Sequence, residues 1–427
     1  MKNKICKLYS LLFFVSTVFL TSCDKETPGK YEMTDGLPTV YYVRYQDKNL
    51  EGQLLESATM NDNIAIIGDN LTSVQQVLFN NIPARLNINF ITKNALLVTV
   101  PGTLPSVVTD KIYFVNANLD TLAYDFKVNI AAPTFARMKC EWVPEGENVT
   151  VYGSSFFATD ASNMQVFIGD YEIPTEDIVT WDNPTQVVFK APAAGISGAV
   201  EIRTLFGTTG QSQDIFRDSR GIIMNFEGIG NKGYDWDTPS FVENDPAYST
   251  SGNYARLSGA VTAGAWSNGP TDALIYYFGA KHGYGEENLF TSNPATSTLK
   301  FEINVLQAWT GLPMVFYFAP PGSTNLPLWD QAPANEYARA FWVPWQGSGS
   351  YTTDGWETIS IPLSEFRYNN SGIDLGFMGG AKQKVPNTFN ELDIYLTNFG
   401  LETFNGKDAI GTDCNPVILI DNIRVVP

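Results

Sequence analysis

The sequence predicts an all-β chain: two small sandwiches in tandem, then one larger β-domain. Three observations carry that reading. Short β-branched and aromatic runs, separated by turn residues roughly every ten positions, continue from residue 38 to the C-terminus. One pattern of such runs occurs twice. In the last half of the chain no amphipathic helix longer than about three turns can be drawn.

Met1 to Cys23 reads as an export leader. Lys2, Lys4 and Lys7 precede an apolar run from Leu11 to Leu20, too short for a permanent helix across a core of ~30 Å. Leu20-Thr21-Ser22-Cys23 resembles a bacterial lipobox, which implies cleavage before Cys23 and lipid on its thiol. Asp24-Lys25-Glu26 resembles the acidic tag of Bacteroidetes lipoproteins sent to the outer face of the cell. A leader over 1–22 and a lipidated linker over 23–37 are therefore expected, with the protein on the outer membrane facing outward. A periplasmic lipoprotein is the alternative.

The formal net charge of −18 becomes three units more negative once the leader lysines are removed. Such a surface repels polyanions, which argues against nucleic acid and acidic polysaccharides as partners. A single histidine, His282, and no Cys/His cluster leave zinc chemistry and His-based triads without material. Beyond Cys6 and Cys23 only Cys140 and Cys414 remain, in different predicted domains, so no disulfide is expected.

The repeat begins at Asn61-Asp-Asn-Ile-Ala-Ile-Ile-Gly68, followed by Val77-Leu-Phe, Ala95-Leu-Leu-Val-Thr-Val-Pro101 and Lys111-Ile-Tyr-Phe-Val. It returns as Gly146-Glu-Asn-Val-Thr-Val-Tyr-Gly153, Val166-Phe-Ile-Gly, Thr185-Gln-Val-Val-Phe-Lys-Ala-Pro192 and Ala199-Val-Glu-Ile-Arg. Both copies run strand, Gly turn, strand, strand, Pro turn, strand. They resemble the TIG-type immunoglobulin-like module, over 38–130 and 131–219, with Ala131-Ala132-Pro133 as a Pro-stiffened joint. From 220 to 427 the composition changes, and seven of the nine tryptophans lie there. Ile222-Ile-Met-Asn-Phe-Glu227 opens this part and Val417-Ile-Leu-Ile-Asp421-Asn-Ile-Arg-Val-Val426 closes it. Apolar first and last strands around one body suit a β-jelly roll.

Lipobox, tandem TIG-like modules and a Trp-rich β-domain opening NFEG and closing LIDNIRVV together resemble surface glycan-binding protein B of Bacteroidetes polysaccharide-utilization systems. The resemblance implies a non-catalytic outer-surface lipoprotein whose terminal domain binds xyloglucan or another neutral β-glucan. It also implies a TonB-dependent transporter and other surface glycan-binding lipoproteins as partners.

Sugar faces carry axial C–H groups that stack on aromatic rings, each contact removing about 50–80 Å² of apolar area, or roughly 1–2 kcal/mol. Several rings in line are needed for micromolar binding. Trp266, Trp309, Trp329 and Trp345 neighbour Gly, Pro, Asn, Asp or Gln, as functional loop residues do. They are the candidate platform, with Trp342 and with Trp236 and Tyr234 of Gly233-Tyr-Asp-Trp-Asp237 as further candidates. Trp342, three residues before Trp345, is expected to face inward and anchor the segment, because alternation sends positions three apart to opposite faces. Trp356 begins an alternating strand and reads as core, while Trp142 and Trp181 read as packing or inter-domain residues. The isolated segment from Gly221 is expected to fold and to keep the affinity.

Two rival functions stay open: a jelly-roll glycoside hydrolase and a protein-binding adhesin. A hydrolase needs paired carboxyl groups about 5–9.5 Å apart, and Glu302 alone lies on a convincing strand. No cofactor is expected. Glu227 and Asp421, near the two ends of the jelly roll, are the place where a structural calcium could sit.

Overall fold

The computed structural model describes residues 31–427 apart from 51, 228–241, 266–274, 279–294, 320–337, 370–371, 375, 378–390 and 397–400. The fold is all-β, and the helical pieces among the described residues are three-residue 3-10 turns. The chain divides into two compact units, Met1–Ile130 and Ala131–Pro427.

In the first unit Thr39–Tyr45 pairs with Leu54–Leu55 and Asn63–Asp69, and Ala95–Thr99 completes the sheet. Val74–Phe79 and Lys111–Asn116 form the middle of a second sheet edged by Ile82–Pro83 and Thr121–Asp125. Alternation along Lys111–Asn116 sends Ile112 and Phe114 into the core, where they meet Val43, Ile64, Val77 and Leu96.

The second unit opens on the same plan. Thr134–Met138, Asn148–Ser154, Gln186–Lys190 and Ile178–Thr180 make one sheet, and Tyr171–Glu172, Met164–Ile168, Gly198–Thr204 and Gly207–Thr208 the other. The repeat extends to a bulge in the first strand of each sandwich, between Val40 and Tyr42 and between Phe135 and Arg137. There a Cβ on Gly68 would lie 2.0 Å from the Thr39 carbonyl oxygen, and one on Gly153 2.0 Å from that of Thr134. Glycine is required at both positions because the bulged backbone comes that close.

From Ile222 the chain builds two facing antiparallel sheets. One runs Val242–Glu243, Tyr254–Ser258, Val417–Val426, Thr298–Gln307, Glu357–Pro362, with Ile222–Met224 also on Val417–Val426. The other runs Ile275–Phe278, Glu391–Leu396, Met314–Ala319, Arg339–Trp342. First and last strands meet, Ile222 opposite Arg424 and Met224 opposite Ile423. Leu299, Phe301, Ile303 and Val305 pack across the gap on Phe316, Phe318, Leu392 and Ile394, with the Phe301 and Phe316 ring centroids 5.4 Å apart.

The alternate residues of that long strand, Lys300, Glu302 and Asn304, are also buried. The second sandwich covers them. Arg424, fully buried, donates to Glu302 Oε2 at 2.8 Å, Glu302 Oε1 at 3.0 Å and Glu141 Oε2 at 2.6 Å. Lys300 Nζ donates to Glu141 Oε1 at 2.5 Å and Asp214 Oδ1 at 2.9 Å. Burial alone would lower the Lys300 ammonium, but the Glu141 and Asp214 carboxylates override it and hold it above its usual value. Backbone bonds join the same surfaces: Thr358 N–H donates to Lys139 O at 2.9 Å, and Glu141 N–H to Thr358 Oγ1 at 2.7 Å. Trp356 does not sit in the jelly-roll core. It is half-buried between the core of the second sandwich and the small Tyr254, Val417, Leu419 cluster of the terminal domain, with its ring edge-on to Tyr254 at 6.1 Å, and its indole N–H donates to Tyr248 O at 2.7 Å.

Candidate functional site

Trp309 and Trp345, expected from loop composition to face solvent, are core residues: Trp309 is fully buried and Trp345 is 3% exposed. The Trp309 N–H donates to Gly311 O at 2.8 Å and Leu312 O at 3.0 Å, and the Trp345 N–H to Leu312 O at 3.1 Å. The neighbouring glycines and proline have a backbone cause. Pro344–Gln346 is a 3-10 turn that buries Trp345. Gly411, at φ 72°, would place a Cβ 2.1 Å from Thr310 O and 2.8 Å from the Trp345 ring, and one on Gly311 would lie 2.3 Å from Thr412 O. These glycines let segments 310–312 and 410–412 close beneath the indole. Leu312 itself holds a left-handed φ of 63°, which costs about 1–2 kcal/mol outside glycine and is held by the two indoles on its carbonyl.

Trp342 is half-buried at the end of the edge strand Arg339–Trp342 and packs edge-to-face on Tyr351, Trp309 and Phe301, with centroids 5.5, 5.6 and 6.0 Å apart. Tyr351 is also half-buried, fixed by reciprocal backbone bonds with Trp309 of 3.1 and 2.9 Å. Burial, with the Glu357 carboxylate beside it, pushes the Tyr351 phenol far above its usual range. Trp342 and Tyr351 are therefore the rings of this aromatic cluster that keep part of their surface in water. Tyr351 was not among the platform candidates; its bridge to Trp309 spans 42 positions of chain, so no local pattern pointed to it. Trp266, Trp329, Trp236 and Tyr234 lie outside the described residues, as do His282 and Cys23.

The carboxylates are placed more deeply than the strand pattern implied. Glu302 is fully buried on Arg424. Asp421 is fully buried too, accepting from the Thr250 hydroxyl, from Ser251 Oγ at 3.3 Å and from the Asn422 N–H at 2.7 Å. Burial, with the charges of Glu227 and Glu302 added, pushes its acid up to about 8, and burial raises Glu227 as well. The two carboxyls do approach each other, but among the described residues no group of three acidic, His or Cys side chains is placed to hold a metal. The hydroxyl and amide donors turned toward Asp421 favour its carboxylate and work against the burial that raises it. Cys140 is buried, Cys414 is partly buried, and both are free thiols.

Residues 216–427 match the family model described as the surface glycan-binding protein B xyloglucan binding domain, and residues 139–214 match the IPT/TIG domain. A crystal structure of a surface glycan-binding protein B from Prevotella bryantii is 30% identical, covers 92% of this chain and 100% of its own, and superposes with a TM-score of 0.65. The chain belongs to the surface glycan-binding protein B family. Another such protein, from a complex xyloglucan utilization locus of Bacteroides uniformis, is 16% identical over 92% of this chain and 99% of its own, with a TM-score of 0.45. An IPT/TIG domain-containing protein of Bacteroides ovatus is 27% identical over 216 residues, so the match spans 47% of this chain and less than half, 43%, of that relative. Within this chain the TIG model falls on the second sandwich, while the first shares the order of its central strands and its bulge glycine.

Proposed function

We propose that the chain is a non-catalytic lipoprotein, anchored by Cys23 to the outer membrane and facing outward, that retains a neutral plant-type polysaccharide, xyloglucan or another β-glucan, for uptake or degradation. The match of 216–427 to a xyloglucan binding domain carries this reading. The domain over 220–427 supplies the aromatic surface: Trp342 with Tyr351, joined by Trp266, Trp329, Trp236 and Tyr234. The sandwiches over 38–130 and 131–219 hold it off the membrane, beside a TonB-dependent transporter and other glycan-binding lipoproteins. The burial of Glu302 on Arg424 commits to an ion pair the one carboxylate that the sequence put on a convincing strand.

Calorimetric titration of the mature chain with a xyloglucan oligosaccharide tests this. Micromolar binding, nearly unchanged between low and physiological salt, is expected, because stacking and neutral hydrogen bonds are not screened. A steep loss with salt, or release of reducing sugar, would count against it. Cys23→Ala is expected to free a folded protein from membranes; retention after a high-salt wash would refute the anchor.

A further inference from the structure

A cleft of about 570 Å³ lies where the second sandwich meets the terminal domain, within the size range of small-ligand sites, about 300–1,000 Å³. Trp142, Pro144 and Glu145 line it from one side, and Asn244, Pro246 and Ser251 from the other. The buried ion network joins the same two bodies, so the walls are preset. Trp142 differs from the packing tryptophans of this unit. Trp309, Trp345 and Trp356 each give their N–H to a backbone carbonyl, whereas the Trp142 N–H is buried with no acceptor among the described residues. A buried indole N–H ordinarily finds a partner.

The polar groups define the ligand class. Arg217, the cation in the wall, spends its donors on the carbonyls of Val143, Pro192, Ala193 and Ile196, so an anion would find no free guanidinium N–H. The Ser249 and Ser251 hydroxyl hydrogens are committed to Gly252 O and Asp421, and Ser251 Oγ also accepts from the Asn422 amide at 3.4 Å, which leaves the Ser249 lone pairs and one of Ser251 to accept from a ligand hydroxyl. Asn244 is exposed with no hydrogen-bond partner among the described residues, and Glu145 offers a carboxylate bonded to the Ala194 N–H at 3.3 Å. Flat apolar surface from an indole and two prolines, ringed by a carboxamide, a carboxylate and hydroxyl acceptors, is the chemistry of a neutral, hydroxyl-rich ring.

We propose that this cleft is a second sugar site, taking one or two hexose units of the same neutral polysaccharide bound by the terminal domain. The inference rests on the glycan-binding reading above. The test is calorimetric titration of the mature full chain with a xyloglucan heptasaccharide, for the wild type and for Ala194→Trp, which fills the cleft from an exposed loop position. Asn244→Ala, with a thermal melt of each variant, guards against a folding defect. Two sites in the wild type, one in Ala194→Trp, and a second site weakened at least 5-fold in Asn244→Ala are expected. One site of equal affinity in all three would overturn the cleft and leave the proposed function standing. No binding by any of them would overturn both.

Discussion

Removing the Trp309 or Trp345 indole leaves a cavity and takes one of two donors from the Leu312 carbonyl, so Trp309→Ala and Trp345→Ala are each expected to cost about 3–5 kcal/mol of stability. Trp342→Ala, at a ring that keeps part of its surface, is expected to weaken xyloglucan oligosaccharide binding by about 5–150-fold. Paired melts and titrations check both; normal melting with lost binding in Trp309→Ala would return that ring to the platform. The pattern of Gly, Pro and Gln beside a tryptophan was legible in the sequence, but its cause was not. Gly311 and Gly411 serve a close approach between segments about 100 positions apart, which no local window contains. Asp421 offers a second residue-level test. Its acid sits near 8 in the fold against about 4 in the unfolded chain, so between those values the native state holds the extra proton. The stability this contributes is present below pH about 4 and lost as pH rises through about 8. Asp421→Asn is expected to flatten that fall, melting higher than the wild type at pH 8.5 and about equally at pH 5. Equal melting at both values would show that Asp421 is ionised in the fold.

Leu299-Lys-Phe-Glu-Ile-Asn-Val305, the run that carries Glu302, is a strand as the sequence implied. The fate of its charged residues was hidden. Lys300 and Glu302 are buried because Glu141 and Asp214, which complete their network, come from another module at sequence distances of 159 and 86 from Lys300. Trp356 was misplaced for the same reason: it immediately precedes a strand of the terminal domain and packs on the preceding sandwich as well as on Tyr254. The network makes the junction sensitive to one missing partner. Arg424→Met leaves Glu302 buried without its cation and Glu141 with Lys300 alone, and a loss of about 3–5 kcal/mol is expected in denaturant unfolding. Changing Arg424, Glu302 and Glu141 together to Met, Leu and Leu is expected to recover most of it, with Lys300 keeping Asp214. A triple variant no more stable than Arg424→Met would mean that packing, and not unpaired charge, sets the cost.

At the scale of the molecule, the tandem sandwiches were readable because each needs its own bulge glycine and proline turn, and those recur at matching points in the sequence. The closed terminal body was readable from its apolar first and last strands, which pair as Ile222 with Arg424. What sequence could not supply is where independence ends. Residues 131–427 form one compact unit, although composition suggested that 221–427 would stand alone. A cut at Gly221 strips the cover from Lys300, Glu302 and Arg424 and from one side of Trp356, whose other side stays on Tyr254. For a body of this size each 1 kcal/mol lowers the midpoint by about 2–4 °C. The fragment 131–427 is therefore expected to melt in one transition and to bind xyloglucan oligosaccharide as tightly as the mature chain. The fragment 221–427 is expected to melt at least about 5 °C lower, and titration at 10 °C separates its affinity from its instability. If 131–427 instead melts in two steps, one matching 221–427, the buried ion network does not couple the two bodies, and the terminal domain folds independently after all.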